Sequence, residues 1–94
     1  MDLSVSYKIA STQQDAFALA KAQITPEYVD KFNVKAEINY DEASGIMEAT
    51  GKGFTLTLEF DDSKCDVNLK LSMLLRPLKK KILEKIEKKL SKHV

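Results

Sequence analysis

Apolar and polar residues alternate along several stretches of the chain, which is the pattern of a strand with one buried face. The alternation covers residues 3–9, 34–40, 54–60 and 65–71, and a shorter strand is expected over 46–50. Turn residues separate the later stretches, at 41–45, 51–53 and 61–64. The pattern therefore predicts five strands, the last four of which form a meander.

Other segments have the spacing of helices. Ser11 and Gln14 have capping-box spacing, so a helix is expected to begin at Ser11 or Thr12. The pair Thr25-Pro26 predicts a short second helix over 26–32, with Thr25 as its N-cap. After Pro77 the apolar period changes from two to about three and a half. This last helix is expected to carry an aliphatic stripe of Leu75, Leu78, Ile82, Ile86 and Leu90.

This order of elements predicts an α+β fold. We expect an antiparallel sheet of about five strands in the order β-α-β-β-β-β-α, with the N-terminal helix and the long C-terminal helix packed on one face. The length of 94 residues fits a single domain, 1–94. Each stripe residue contributes roughly 1.5–3 kcal/mol on burial, several times a surface ion pair. Hydrophobic packing therefore sets the position of the last helix.

Charge is distributed unevenly along the chain. The segment 76–92 has eight basic and two acidic residues and a charge of +6, whereas the remainder carries −5. The basic residues of segment 76–92 are the candidate surface-binding residues: Arg76, Lys79, Lys80, Lys81, Lys85, Lys88, Lys89 and Lys92. A solvated helix face with a Glu84–Lys88 ion pair accounts for them without a partner. An anionic lipid surface is the alternative, because each clustered lysine contributes on the order of 1 kcal/mol there.

Nucleic acid is not expected as a partner, because the basic segment lacks interleaved aromatic residues and the acidic remainder repels a long polyanion. Catalysis is not expected either. His93, the single histidine, lies next to the last residue, where a general base lacks firm support. Cys65 begins a strand on its core face, which favours a buried hydrophobe over a reactive thiol. No metal-ligand spacing is present, and no cofactor is expected.

Three features bear on the cellular compartment. The single cysteine excludes an intramolecular disulfide. The N-terminus opens with Asp2, Ser4 and Ser6 and not with a signal segment. No apolar run reaches the roughly 20 residues that cross a bilayer. We therefore expect a cytoplasmic protein, with any membrane contact peripheral.

Several segments together resemble the polyhydroxyalkanoic acid system proteins, short bacterial proteins associated with polyester storage granules. The likeness rests on 28–32, the strand 34–40, Gly51-Lys52-Gly53, the alternation 54–60, and Leu74-Leu75-Arg76-Pro77-Leu78 before a lysine-rich helix. That family often has a histidine near the first strand–helix junction, where this chain has none, so no role is carried over from it. The resemblance implies a non-enzymatic binding or structural protein that contacts a granule or lipid surface through 79–92.

The order of elements also resembles a shortened helix-grip fold, the arrangement of the START and pollen-allergen superfamily. There a long C-terminal helix lies across a curved sheet above an apolar cavity. This second resemblance implies a carrier of a small hydrophobic ligand such as a lipid. Its possible apolar pocket consists of Tyr7, Phe17, Tyr40, Phe54, Leu58 and Ile82. A homodimeric protein-interaction module is a third hypothesis.

Overall fold

The computed structural model describes residues 2–31 and 36–94. Within these ranges the elements are β1 (Leu3–Ser6), α1 (Gln13–Gln23), α2 (Pro26–Asp30), β2 (Ala36–Asp41), β3 (Ile46–Gly51), β4 (Phe54–Phe60), β5 (Lys64–Leu71), a 3₁₀ turn (Arg76–Leu78) and α3 (Lys79–His93). Both the α+β class and the predicted order of elements are confirmed.

The five strands form one antiparallel sheet in the order β1-β5-β4-β3-β2. The last four strands are a meander, as predicted, because each pairs with the strand that precedes or follows it in the chain. The first strand lies beside the last, with Val5 opposite Cys65. The two edges of the sheet are therefore β1 and β2.

The core lies on one face of this sheet. Inward-facing residues of the central strands, such as Leu56, Leu58 and Val67, are almost fully buried, whereas their neighbours in sequence are more exposed. Both α1 and α3 cover this face and contact one another. The Phe17 ring of α1 meets the Phe60 ring edge to face, with centroids 5.6 Å apart. The prediction that both helices pack on the same face is confirmed.

The first strand is shorter than the alternation predicts. It ends at Ser6, and Ile9 is 60% exposed, so its predicted inward orientation is wrong. Pairing stops because β5 begins at Lys64, opposite Ser6. Beyond Tyr7, the backbone N–H groups of residues 8–10 donate to the Val94 main-chain oxygen at 3.2, 2.8 and 2.8 Å.

The helix caps follow the sequence with one exception. Thr25 caps α2 by accepting a hydrogen bond from the Tyr28 N–H, as predicted. The N-cap of α1 is Thr12, which accepts from the Asp15 N–H at 3.1 Å. The expected Ser11–Gln14 capping box is therefore wrong. Helix α2 ends at Asp30. The predicted end of this helix at Phe32, and the predicted start of the next strand at Val34 and Lys35, lie outside the described residues.

The aliphatic stripe packs α3 against the sheet, as predicted. Ile82, Ile86 and Leu90 are buried. The prediction is wrong at Leu78, which is 38% exposed and lies in the 3₁₀ turn, whereas Leu75 packs against the core. A 3₁₀ turn has about 3.0 residues per turn in place of 3.6. A residue in that turn therefore points in a different direction from the one that α-helical spacing predicts. Lying flat on the sheet, α3 turns its lysine-bearing surface away from the core.

Both ends of α3 are fixed to residues close to β1. Val94, which caps the helix, is buried and accepts the three N–H groups described above. At the other end, the Lys79 Nζ lies 3.0 Å from the Asp2 carboxylate. That carboxylate also accepts a hydrogen bond from the Leu69 N–H at 2.7 Å. This hydrogen bond, and after it Lys79, holds the pKa of Asp2 below its usual value.

Candidate functional site

The structure places seven of the eight predicted surface-binding residues in two separate grooves. Lys85, Lys88, Lys89 and Lys92 line a groove between α2 and α3. Arg76, Lys79 and Lys80 line a second groove, between β1 and the start of α3. Lys81 is exposed and lines neither of these two grooves. The predicted set is therefore not one continuous site.

The groove between α2 and α3, called the cationic groove below, has a volume of about 340 Å³. Its lining residues are Tyr28, Lys31, Lys85, Lys88, Lys89, Lys92 and His93. Five of the seven are lysines, and no carboxylate is among them. Several positive charges along one groove make its electrostatic potential positive, and the low-dielectric walls of the groove concentrate that potential inside it. The arrangement can therefore attract a polyanionic partner such as a layer of phosphate groups.

Tyr28 joins the two helices that form this groove. Its hydroxyl donates a hydrogen bond to the Lys85 main-chain oxygen at 3.1 Å. The Lys89 Nζ lies 5.2 Å from the centroid of its ring, a cation–π distance. Burial raises the pKa of the Tyr28 hydroxyl above its usual value. The tyrosine therefore holds Lys89 at the groove and fixes the separation of the two helices.

Sequence reasoning missed Tyr28 and Lys31 as groove residues. Both lie near the end of α2, more than 50 positions before the lysines that they join. Their spacing of three residues places them on the same side of a short helix, but that pattern does not indicate which element they face. Only the contacts of Tyr28 with Lys85 and Lys89 show it.

The second groove has mixed charge. Its lining includes Glu84 and Glu87 besides Arg76, Lys79 and Lys80, with Leu3 and Leu83 as its apolar part. Lys79 is also paired with Asp2. Nearby carboxylates reduce the net attraction for an anion here. The cationic groove is accordingly the stronger candidate for an anionic surface.

The first turn of α3 opposes the usual electrostatics of a helix. Lys79, Lys80 and Lys81 occupy it, no acidic residue is present there, and no side chain caps the helix. A positive side chain near a helix N-terminus is unfavourable by about 0.3–1 kcal/mol. Departures from local rules are expected where function imposes them. Lys80 and Lys81 are therefore poorly explained as contributions to folding, whereas Lys79 is offset by its ion pair with Asp2.

The open face of the sheet has the opposite charge. Outward-facing positions of the five strands carry five carboxylates, Glu37, Asp41, Glu48, Glu59 and Asp66, and two lysines, Lys64 and Lys70. Lys64 lies 4.0 Å from Asp66 in a weak ion pair. An acidic sheet face and a basic helical face therefore lie on opposite sides of the molecule.

The six residues of the predicted apolar pocket belong to the core or its edge. Phe17, Phe54, Leu58 and Ile82 are buried, and none of the six lines either of the two grooves described above. Tyr7 and Tyr40 are half-buried. The Tyr7 hydroxyl lies 2.6 and 2.7 Å from the carbonyl oxygens of Asp61 and Lys64, and that of Tyr40 donates to the Ile24 carbonyl at 2.8 Å. These contacts are those of packed side chains.

Cys65 is fully buried, which confirms its interpretation as a core residue. Burial, followed by the neighbouring Asp66 carboxylate, raises the pKa of its thiol to about 12. We expect Ellman's reagent to leave the native protein unmodified in mildly alkaline buffer and to react with one thiol per chain in denaturant. Rapid stoichiometric reaction of the native protein, read from thionitrobenzoate absorbance, would contradict this burial.

Within residues 2–31 and 36–94, no group of three or more His, Cys, Asp and Glu side chains is arranged to hold a metal ion. In the same part of the chain, no helix has the length and apolar character that crossing a membrane requires.

Comparison with known proteins identifies the family. Residues 6–94 match a family model described as "Putative polyhydroxyalkanoic acid system protein". No curated protein and no solved structure gives a significant match. The likeness to helix-grip folds stays a prediction. Because the match covers nearly the whole sequence, the chain belongs to the polyhydroxyalkanoic acid system protein family.

Proposed function

We propose that this protein is a non-enzymatic cytoplasmic protein that associates with polyester granules, where α3 contacts an anionic phospholipid layer. The observation that carries the proposal is the cationic groove, which five lysines line without a carboxylate. Membership of the family supports the granule as the location. Electrostatic attraction supplies the affinity, since each lysine contributes on the order of 1 kcal/mol near an anionic lipid surface.

The distribution of charge gives the contact an orientation. The basic helical surface faces the lipid, and the acidic face of the sheet, with Glu48 and Glu59 among its carboxylates, faces away. Reversing the molecule brings carboxylates against anionic headgroups. At physiological ionic strength charges act over about 8 Å, so the nearer face determines the interaction. One side of the protein is therefore strongly preferred.

A solvated helix face is the alternative explanation for the lysines. It draws support from an expected ion pair between Glu84 and Lys88 at the favourable spacing of four residues. Among the ion pairs of the described residues, within 4.0 Å, this pair is absent. The explanation by a solvated helix face therefore lacks the Glu84–Lys88 ion pair through which a lysine of α3 would stabilise the helix.

The hydrophobic-ligand carrier and the homodimer stay predictions. The carrier requires a space among residues such as Phe54, Leu58 and Ile82, which are 1–4% exposed and packed in the core. We do not adopt it, because no observation favours it over the surface contact. Native mass spectrometry of the purified protein tests the carrier, and light scattering tests the dimer.

Sedimentation with vesicles tests the proposed function. The protein is mixed with vesicles of phosphatidylcholine alone or with phosphatidylglycerol, at low salt and at about 1 M salt, where the Debye length is about 3 Å. We expect the protein in the pellet only with phosphatidylglycerol at low salt. Isolated polyester granules should bind it with the same salt dependence. The proposal is wrong if the protein stays in the supernatant, or if it binds both vesicles equally at either salt.

A further inference from the structure

Two large apolar side chains project from the turn between β5 and the 3₁₀ segment. Met73 is 80% exposed and Leu74 is 91% exposed. They are adjacent in sequence, and we call them the apolar tip. Exposed aliphatic side chains occur singly on most surfaces, but two neighbours at these exposures need a reason.

The backbone around the apolar tip is firmly held. The N–H groups of Leu75 and Arg76 both donate to the Ser72 carbonyl at 3.0 Å. The Ser72 N–H donates to the Gly53 carbonyl at 2.8 Å. Gly53 has φ +72°, and a Cβ there would lie 2.8 Å from the Ser72 hydroxyl oxygen, so this close approach requires glycine. The fold therefore keeps the apolar tip in an exposed position.

Cationic residues follow the apolar tip directly. Arg76, Lys79 and Lys80 lie within six positions of Leu74, at the start of α3. Leu78, which is partly exposed, lies among them. An apolar projection beside cations complements the interface of an anionic lipid layer, where headgroups are negative and acyl chains lie below.

We infer that the apolar tip inserts Met73 and Leu74 below the headgroups of an anionic phospholipid surface, while Arg76 and Lys80 contact the phosphates. This inference rests on the proposed function and adds a second point of contact to it. Two side chains provide too little area for a stable protein interface, which needs about 800 Å² on each partner. The same area suffices for partition into lipid, since burial of one leucine side chain corresponds to about a 10- to 100-fold gain in affinity.

The apolar tip and the cationic groove lie toward opposite ends of α3. From Lys79 to Lys92 the helix axis rises about 20 Å at 1.5 Å per residue. Insertion at one end and electrostatic attraction at the other orient the helix on the surface. Salt screens the charges and leaves apolar insertion intact, but two apolar side chains alone are too few to hold the protein in the pellet at about 1 M salt.

A tryptophan reporter tests the insertion directly, since the chain contains no tryptophan. Leu74→Trp places the indole at the apolar tip, and Thr50→Trp places one on the open sheet face as the matched control. Each variant is bound to phosphatidylglycerol vesicles whose acyl chains carry bromine, which quenches nearby indole. We expect a blue-shifted, quenched emission for Leu74→Trp and unchanged emission for Thr50→Trp.

The double variant Met73→Ser/Leu74→Ser supplies the second measurement. Both residues are exposed, so thermal unfolding should be unchanged, and vesicle binding should fall by at least about 10-fold. If the wild type sediments with vesicles while Leu74→Trp stays unquenched and the double variant binds normally, the insertion is wrong and the proposed function stands. If the wild type itself fails to bind, both are wrong. A change of oligomeric mass in the double variant without lipid, with normal vesicle binding, would instead assign the tip to a protein contact.

Discussion

Glutamine at both Lys88 and Lys92 should weaken binding to phosphatidylglycerol vesicles by about 30-fold at low salt. Both lysines line the cationic groove, and both are exposed. Each contributes on the order of 1 kcal/mol near an anionic surface, and about 1.4 kcal/mol is a factor of ten. The measurement is the partition coefficient from vesicle sedimentation at one fixed ionic strength.

A second pair of lysines provides the matched control. Lys21→Gln/Lys64→Gln removes the same charge, but Lys21 lies 3.2 Å from Glu42 and Lys64 lies 4.0 Å from Asp66. Because neither lysine lines the cationic groove or the groove near β1, and Lys64 lies on the open sheet face, the control should bind nearly as the wild type does. Equal weakening of the two double variants would mean that net charge alone matters and that the cationic groove has no special role. All four residues are at the surface, so thermal unfolding of both variants should stay close to that of the wild type.

The sheet could be predicted from the sequence because a period of two residues directly reports which side chains face the core. Phe54 to Phe60 and its partner strand alternate without interruption, and the structure places every expected apolar residue inward. The pattern failed at Ile9, where the residue type continues the alternation but the strand has lost its partner. Whether a residue is paired depends on where the neighbouring strand begins and ends. The periodicity within one segment does not report the ends of another segment.

The position of the last helix was predictable for a similar reason. Three aliphatic residues at spacings of four, Ile82, Ile86 and Leu90, lie on one side of a helix and must be buried somewhere. Leu78 was assigned wrongly because the sequence does not report where a 3₁₀ turn gives way to an α-helix. The error matters for function, because a buried Leu78 leaves no reason to expect the exposed apolar residues Met73, Leu74 and Leu78 just before α3.

The candidate site was only partly predictable. Lysines concentrated on one helix are visible in the sequence, and their outward orientation follows from the buried stripe opposite them. The separation of these lysines into two grooves could not be predicted from the sequence. It depends on Tyr28 and Lys31 from a distant helix and on the carboxylates that line the second groove. The exposure of Met73 and Leu74 could not be predicted either, because apolar residues just before a helix ordinarily pack against its first turns.

Replacing Ile86 with alanine should destabilise the protein by about 2–5 kcal/mol, the range for truncating a fully buried aliphatic side chain. Ile86 is 0% exposed and lies at the middle of the stripe that holds α3 on the sheet. A domain of this size is stable by about 5–15 kcal/mol, so the loss is a large fraction of the total. Urea unfolding followed by circular dichroism measures it.

Leu78→Ala is the matched control, because it makes the same kind of truncation at a position that the apolar pattern also assigned to the stripe. With 38% of its surface exposed, Leu78 should lose no more than about 1 kcal/mol. Equal losses at the two positions would show that the helix begins its contact with the sheet earlier than the structure places it. A loss below about 1 kcal/mol at Ile86 itself would contradict the packing of α3 on the sheet. The outward presentation of the lysines, which depends on that packing, would then lose its structural basis.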